Sequence, residues 1–172
     1  MLDKKMEVAL NQQVNAELWS SYLYLSMSYD MDNKGYEGMA TWFAAQAKEE
    51  FDHASRFMKF IGERDGKVAL MPIEEVQQAW KTPKDAFVDT LKHEKVVTEK
   101  IHRLMDMAVE LKDYITQNFL KWFIDEQVEE ESTARKIVEK LERIGDNPAL
   151  LYALDDELGK RLFVPSSELE KQ

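Results

Sequence analysis

Leu10, Val14, Ser21, Tyr24, Ser28 and Met31 recur at steps of three and four or their sums, which predicts a first helix over residues 5–32. "DNKGYEG" should stop it, with Gly35 and Gly38 as breakers. A second helix follows over 39–64, with Phe43, Ala47, Ala54, Phe57 and Ile61 on one face. The stretch "VALMPIEEVQQAWKTP" has no helical period. Thr82 and Pro83 then read as N-cap and first-turn proline of a third helix carrying Phe87, Leu91, Ile101, Leu104 and Ala108. After "LKDY", a fourth helix over 114–144 carries Leu120, Phe123, Ala134, Ile137, Leu141 and Ile144. "GDNP" ends it, and Asp146, Asn147 and Pro148 can open a short fifth helix over 148–163.

Two helix pairs with tight turns, joined by one long connection, predict an all-α fold. The architecture is an antiparallel four-helix bundle with one crossover between the second and third helices, plus a short C-terminal helix. At about 3.3 Å per residue the connection can span the bundle from end to end. A single domain over 1–172 is expected, with the bundle at 5–144 and a polar tail, 164–172, that should fray.

Composition narrows the function classes. The 172 residues include no cysteine, which excludes disulfides, thiolate metal sites and thiol catalysis. A formal net charge of -10 argues against phosphate-backbone contacts with nucleic acid and favours cations. No apolar run approaches a membrane span, and "MLDKKMEVALNQQ" lacks the apolar centre of a signal peptide, so a cytoplasmic location is expected.

Each long helix also carries charge on its apolar line. Glu17 lies between Val14 and Ser21; Glu50 and His53 lie between Ala47 and Phe57; Glu94 lies between Leu91 and Ile101; Gln127 and Glu130 lie between Phe123 and Ala134. A constant offset of 77 residues carries Glu17, Glu50 and His53 onto Glu94, Gln127 and Glu130. For one glutamate, a misjudged helix phase is the simpler explanation. It does not explain six polar residues that repeat together. At 1.5 Å per residue, all six fall roughly 20 Å from their helix turns and can meet at one level of the interior.

Four buried carboxylates repel one another and lose their hydration, so something must neutralise them. Two divalent cations supply the charge, carboxylates can bridge them, and the imidazole of His53 favours a transition metal. Glu49, Glu126 and Glu129 adjoin proposed ligands; the run "EQVEEES" is either a solvated face or an outer cation station. Tyr24, one heptad beyond Glu17, is either core filler or a redox neighbour of the site. His93 and His102 have no supporting pattern and read as packing or surface residues, and Trp122 and Phe123 as packing. Such a site could serve a dimetal oxidase or peroxidase of a small molecule, or a non-catalytic cation-buffering scaffold.

"LNQQVNAELWSSYLYLSM", "AKEEFDHASRF", "LKHEKVVTEKI" and "FLKWFIDEQVEEE", in this order and at these spacings, resemble the non-haem bacterial and archaeal ferritins over nearly the whole chain. That resemblance implies a ferroxidase that oxidises Fe(II) with O2 or peroxide and stores Fe(III) as mineral in a homo-oligomeric cage of 24 subunits. It implies that Glu17, Glu50 and His53 hold one iron, that Glu50 bridges, and that Glu94 and Glu130 hold the second. Gln127 becomes a hydrogen-bonding neighbour or weak ligand. Glu49, Glu126 and Glu129, sharing Glu130, match a third iron site, and Tyr24 matches a tyrosine near the centre. Haem-binding bacterioferritins place methionine after the bridging glutamate, and this chain has Phe51, so no haem is expected. Helix four has Gln127-x-x-Glu130 rather than a second Glu-x-x-His, which separates the chain from bacterioferritins and rubrerythrins. The fifth helix separates it from the mini-ferritins.

Overall fold

The structure, a computed structural model, describes residues 2–165. Its helices are α1 (Lys4–Asn33), α2 (Glu37–Glu63), α3 (Pro83–Glu110), α4 (Tyr114–Ile144) and α5 (Pro148–Leu158). The all-α four-helix bundle with one long crossover and a short fifth helix is the architecture observed.

Local chemistry sets the helix ends. Asp3 caps α1 by accepting from the Lys5 amide at 2.8 Å, and Thr82 and Asp85 form a reciprocal capping box ahead of Pro83. Asp113 caps α4 through the Thr116 amide at 3.1 Å. Gly35, at φ +82°, makes the tight turn between α1 and α2.

Gly38 is not a breaker. It is buried in the first turn of α2, where a Cβ would stand 1.8 Å from the Asp155 carbonyl oxygen of α5. The absent side chain lets α5 dock. Asp155 in turn caps α2, accepting from the Gly38 amide at 3.1 Å and the Met39 amide at 2.8 Å. The adjoining Tyr36 supplies no side-chain cap.

The fifth helix is shorter than the expected 148–163. It ends at Leu158, because Gly159 seats against the Cα of Gly38 and the chain then runs without helix to Pro165. Of the expected polar tail, 166–172 lies outside the described residues.

The crossover is clasped along α1. Asn11 accepts from the Ala69 amide at 2.7 Å and donates to the Lys67 carbonyl at 3.0 Å, and Ser26 donates to the Gln77 carbonyl at 2.7 Å. Asp30 accepts from the Trp80 amide at 3.0 Å. At the opposite end, Arg64 pairs with Asp113 at 3.2 Å and ties the close of α2 to the start of α4.

Two apolar clusters fill the bundle. One, around Tyr24, Phe43, Phe87 and Ile137, lies toward the α1–α2 turn; the other, around Leu10, Phe57, Ile101 and Phe123, lies toward the α3–α4 turn. On every long helix the polar residues fall between them. Glu17 separates Val14 from Leu23, Glu50 and His53 separate Ala47 from Phe57, Glu94 separates Phe87 from Val97, and Gln127 and Glu130 separate Phe123 from Ile137. A belt of ionisable residues thus crosses a largely apolar interior.

Candidate metal centre

Glu17, Glu50, His53, Glu94, Gln127 and Glu130 are all buried, with the four glutamates between 1% and 6% exposed. Each is placed by helical phase, since burying the flanking apolar residues turns these side chains inward as well. Glu17, Glu50 and His53 each offer a ligand atom within 4.8 Å of the others. His53 Nδ1 is 3.6 Å from Glu50 Oε2, one helical turn away. Trp122 and Phe123 hold the imidazole edge-on at ring separations of 5.4 Å and 5.8 Å.

Glu94 lies outside that close group and is gripped from two sides. The Tyr24 hydroxyl donates to its Oε1, and Gln127 Nε2 donates to its Oε2 at 3.3 Å and to its carbonyl at 3.2 Å. Burial pushes the Tyr24 phenol well above its usual value, with Glu94 adding to the effect, so it remains a neutral donor. Trp19 and Tyr24 pack on His93, which pairs with Ser20 Oγ at 2.7 Å; burial lowers it to about 4, so it is neutral. His102 is exposed.

Glu17, Glu50, Glu94 and Glu130 are each raised from 4.5 to about 8, first by burial and next by the charge of a neighbouring glutamate. Among the described residues no donor reaches the buried Glu17 Oε2, and the Glu17 and Glu50 carboxyls lie close enough to share a proton. Four carboxyls buried together are a strong demand for a cation. The donor set of hard oxygens with one imidazole fits a pair of first-row transition ions.

A second close group, Glu49, Glu126 and Glu130, also offers ligand atoms within 4.8 Å of one another. Glu130 belongs to this second group, and its charge also acts on Glu50 of the first. Glu126 is half-buried and raised, chiefly by burial. Glu129 is exposed and outside this close group, though its charge reaches Glu126. Phe51 is 56% exposed and lines a groove with Ser21, Leu25 and Phe163.

A family model for the ferritin-like domain matches residues 7–144. The chain belongs to the ferritin family. It is 41% identical over 161 residues to a bacterial non-heme ferritin of Bacteroides fragilis, covering 94% of this chain and 100% of the relative. It is 37% identical over 163 residues to one of Staphylococcus epidermidis, covering 95% and 98%. Among solved structures, an open pore ferritin from the archaeon Archaeoglobus fulgidus superposes with a TM-score of 0.94 at 45% identity, covering 94% of this chain and 100% of that one. A humanized archaeal ferritin gives 0.95 at 44% identity, covering 96% and 100%.

Three residues of this ferritin's site escaped the sequence reading. Gln13 Nε2 donates to Glu17 Oε1 at 2.8 Å. Gln46 Nε2 donates to Glu50 Oε1 and to Glu130 Oε2, both at 3.0 Å. Each glutamine stands four residues before its glutamate, so the Gln-x-x-x-Glu spacing was an available signal. The third, Arg161, donates to Gln46 Oε1 at 2.6 Å and to Glu49 Oε2, and no local pattern announces it.

Proposed function

We propose that this ferritin chain is the ferroxidase subunit of an iron-storage cage. One observation carries the reading: a belt of four buried glutamates and one histidine crosses the bundle, each glutamate raised to about 8 by burial and by its neighbours' charge. Two Fe(II) ions bring the charge the belt lacks. Glu17, Glu50 and His53 hold the first, Glu50 bridges, and Glu94 and Glu130 hold the second. Gln127 and Tyr24 orient Glu94 by hydrogen bonds.

Each Fe(II) gives up one electron, so the pair supplies the two that reduce O2, with two protons, to H2O2, or H2O2, with two protons, to water. Anionic oxygen ligands favour the higher charge of Fe(III) and so drive the oxidation. The protons that the glutamates give up as iron binds are available for that reduction. With a single imidazole at the pair, and carboxylates free to shift between bridging and terminal binding, the product can leave for storage. Glu49, Glu126 and Glu130 form a third station on that path, with the exposed Glu129 adding its charge at Glu126.

Assembly into a 24-subunit cage is supported by apolar surface that a lone subunit leaves in water: Tyr22, Leu25, Tyr29 and Phe51 on the bundle, and Leu150 and Tyr152 on α5. No helix among the described residues is long and apolar enough to cross a membrane.

Apoprotein mixed with Fe(II) and O2 tests the reading. Ferric product should form well above the rate in buffer, and Glu50→Ala or Glu130→Ala should slow it at least about tenfold. Oxidation at the buffer rate, or unchanged rates in both variants, rejects it. Light scattering on the same sample should give a particle near twenty-four times the 20.1 kDa subunit.

A further inference from the structure

The segment after α5 returns a positive charge to the edge of the site. Arg161 Nη2 donates to Glu49 Oε2, and Nη1 donates to Gln46 Oε1 at 2.6 Å. Its guanidinium carbon sits 4.4 Å from the centre of the Trp42 ring, a cation–π contact that fixes the plane of the fork. Arg161 and Glu49 are 23% and 26% exposed, so the pair is largely withdrawn from water. Arg161 is carried there by the docking of α5, in which Asp155 caps α2 and Gly159 seats on Gly38.

We propose that Arg161 is a built-in counter-ion of the outer carboxylate group, acting on Glu49 while the charge of Arg56 reaches Glu126, and that it sets the group's cation affinity. A divalent cation entering among Glu49, Glu126 and Glu130 competes with the guanidinium for Glu49, because one oxygen of that carboxylate is already occupied and the local charge is already partly neutralised. The same fork holds Gln46 Oε1, which leaves the Gln46 amide nitrogen directed at Glu50 and Glu130. Filling the outer group therefore loosens both the 159–165 segment and the tether on Gln46. Outer and inner stations are coupled through one side chain. The inference rests on reading both carboxylate groups as cation sites.

Calorimetric titration of the assembled apoprotein with Zn(II), which has no redox chemistry, tests it. Wild type should show inner binding and a weaker outer step. In Arg161→Gln the outer step should tighten roughly tenfold, the order expected for removing one partly exposed charge at contact distance. Arg161→Lys, which keeps the charge, should lie between. Amide hydrogen exchange in 159–165 should quicken when wild type is saturated with Zn(II). Inner binding with an outer step unchanged or weakened in Arg161→Gln overturns the role of Arg161 and leaves the dimetal reading standing. Absence of inner binding in wild type overturns the dimetal reading, and this inference with it.

Discussion

Glu50 and Glu130, on the antiparallel helices α2 and α4, share a single donor: Gln46 Nε2 lies 3.0 Å from an oxygen of each. That one amide holds two mutually repelling carboxylates at a common point without supplying any charge. The fold therefore orders the belt before metal arrives but leaves its electrostatic cost largely unrelieved.

That cost makes the site a local weakness of the metal-free protein. Replacing Glu17 by Gln keeps the shape and removes the cost of holding a buried carboxyl protonated at neutral pH. Glu17→Gln should raise the melting temperature of the apoprotein, by about 1–2 kcal/mol of stability, while slowing iron oxidation. Calorimetry of chelator-treated protein checks this; a lower melting temperature contradicts it.

The same four glutamates set a pH dependence. Their folded values of about 8 lie above the ordinary 4.5, so between these limits the folded chain holds protons that the unfolded chain has released. Their contribution to apoprotein stability is fully present below pH 4.5 and is lost as pH rises through about 8. Melting temperature should fall from pH 5.5 to pH 8.5 in the apoprotein, and Zn(II) binding at pH 7 should release protons. Calorimetry in buffers of different ionisation enthalpy measures that release; no difference between buffers contradicts it.

Tyr24→Phe removes the hydroxyl that grips Glu94 Oε1 and leaves that oxygen buried without its donor. The apoprotein should lose about 1–3 kcal/mol, and Zn(II) should recover most of the loss by pairing the freed oxygen. Chemical denaturation with and without zinc distinguishes this from simple loss of packing, which zinc would not repair.

Gly38→Ala places a methyl group on the Asp155 backbone and should unseat α5. We expect a loss of about 1–3 kcal/mol. Because Arg161 reaches the outer group through that docking, this variant should also tighten outer Zn(II) binding, as Arg161→Gln does. Unchanged outer binding would show that Arg161 finds Glu49 without help from α5.

The helices and the belt could be read from the sequence because both depend on period. The flanking Val14, Ala47, Leu91 and Phe123 fixed the phase that turns Glu17, Glu50, Glu94 and Gln127 inward, and the 77-residue offset removed the ambiguity of any one glutamate. What period cannot reach is contact between distant segments. Asp155 capping α2, Arg161 on Glu49 and Trp80 on Asp30 each join residues on elements whose relative placement is decided only by packing. The fifth helix illustrates the limit: its apolar pattern continues to Phe163, but close approach at Gly38 and the reach of Arg161 end it at Leu158.

The most direct measurement is anomalous diffraction from crystals of the protein soaked in Fe(II) without oxygen. Two iron peaks, roughly 3.5–4 Å apart, should lie between Glu17, Glu50, His53, Glu94 and Glu130, with Glu50 touching both. No iron within the bundle, or a single ion at the surface carboxylates alone, would contradict the dimetal account.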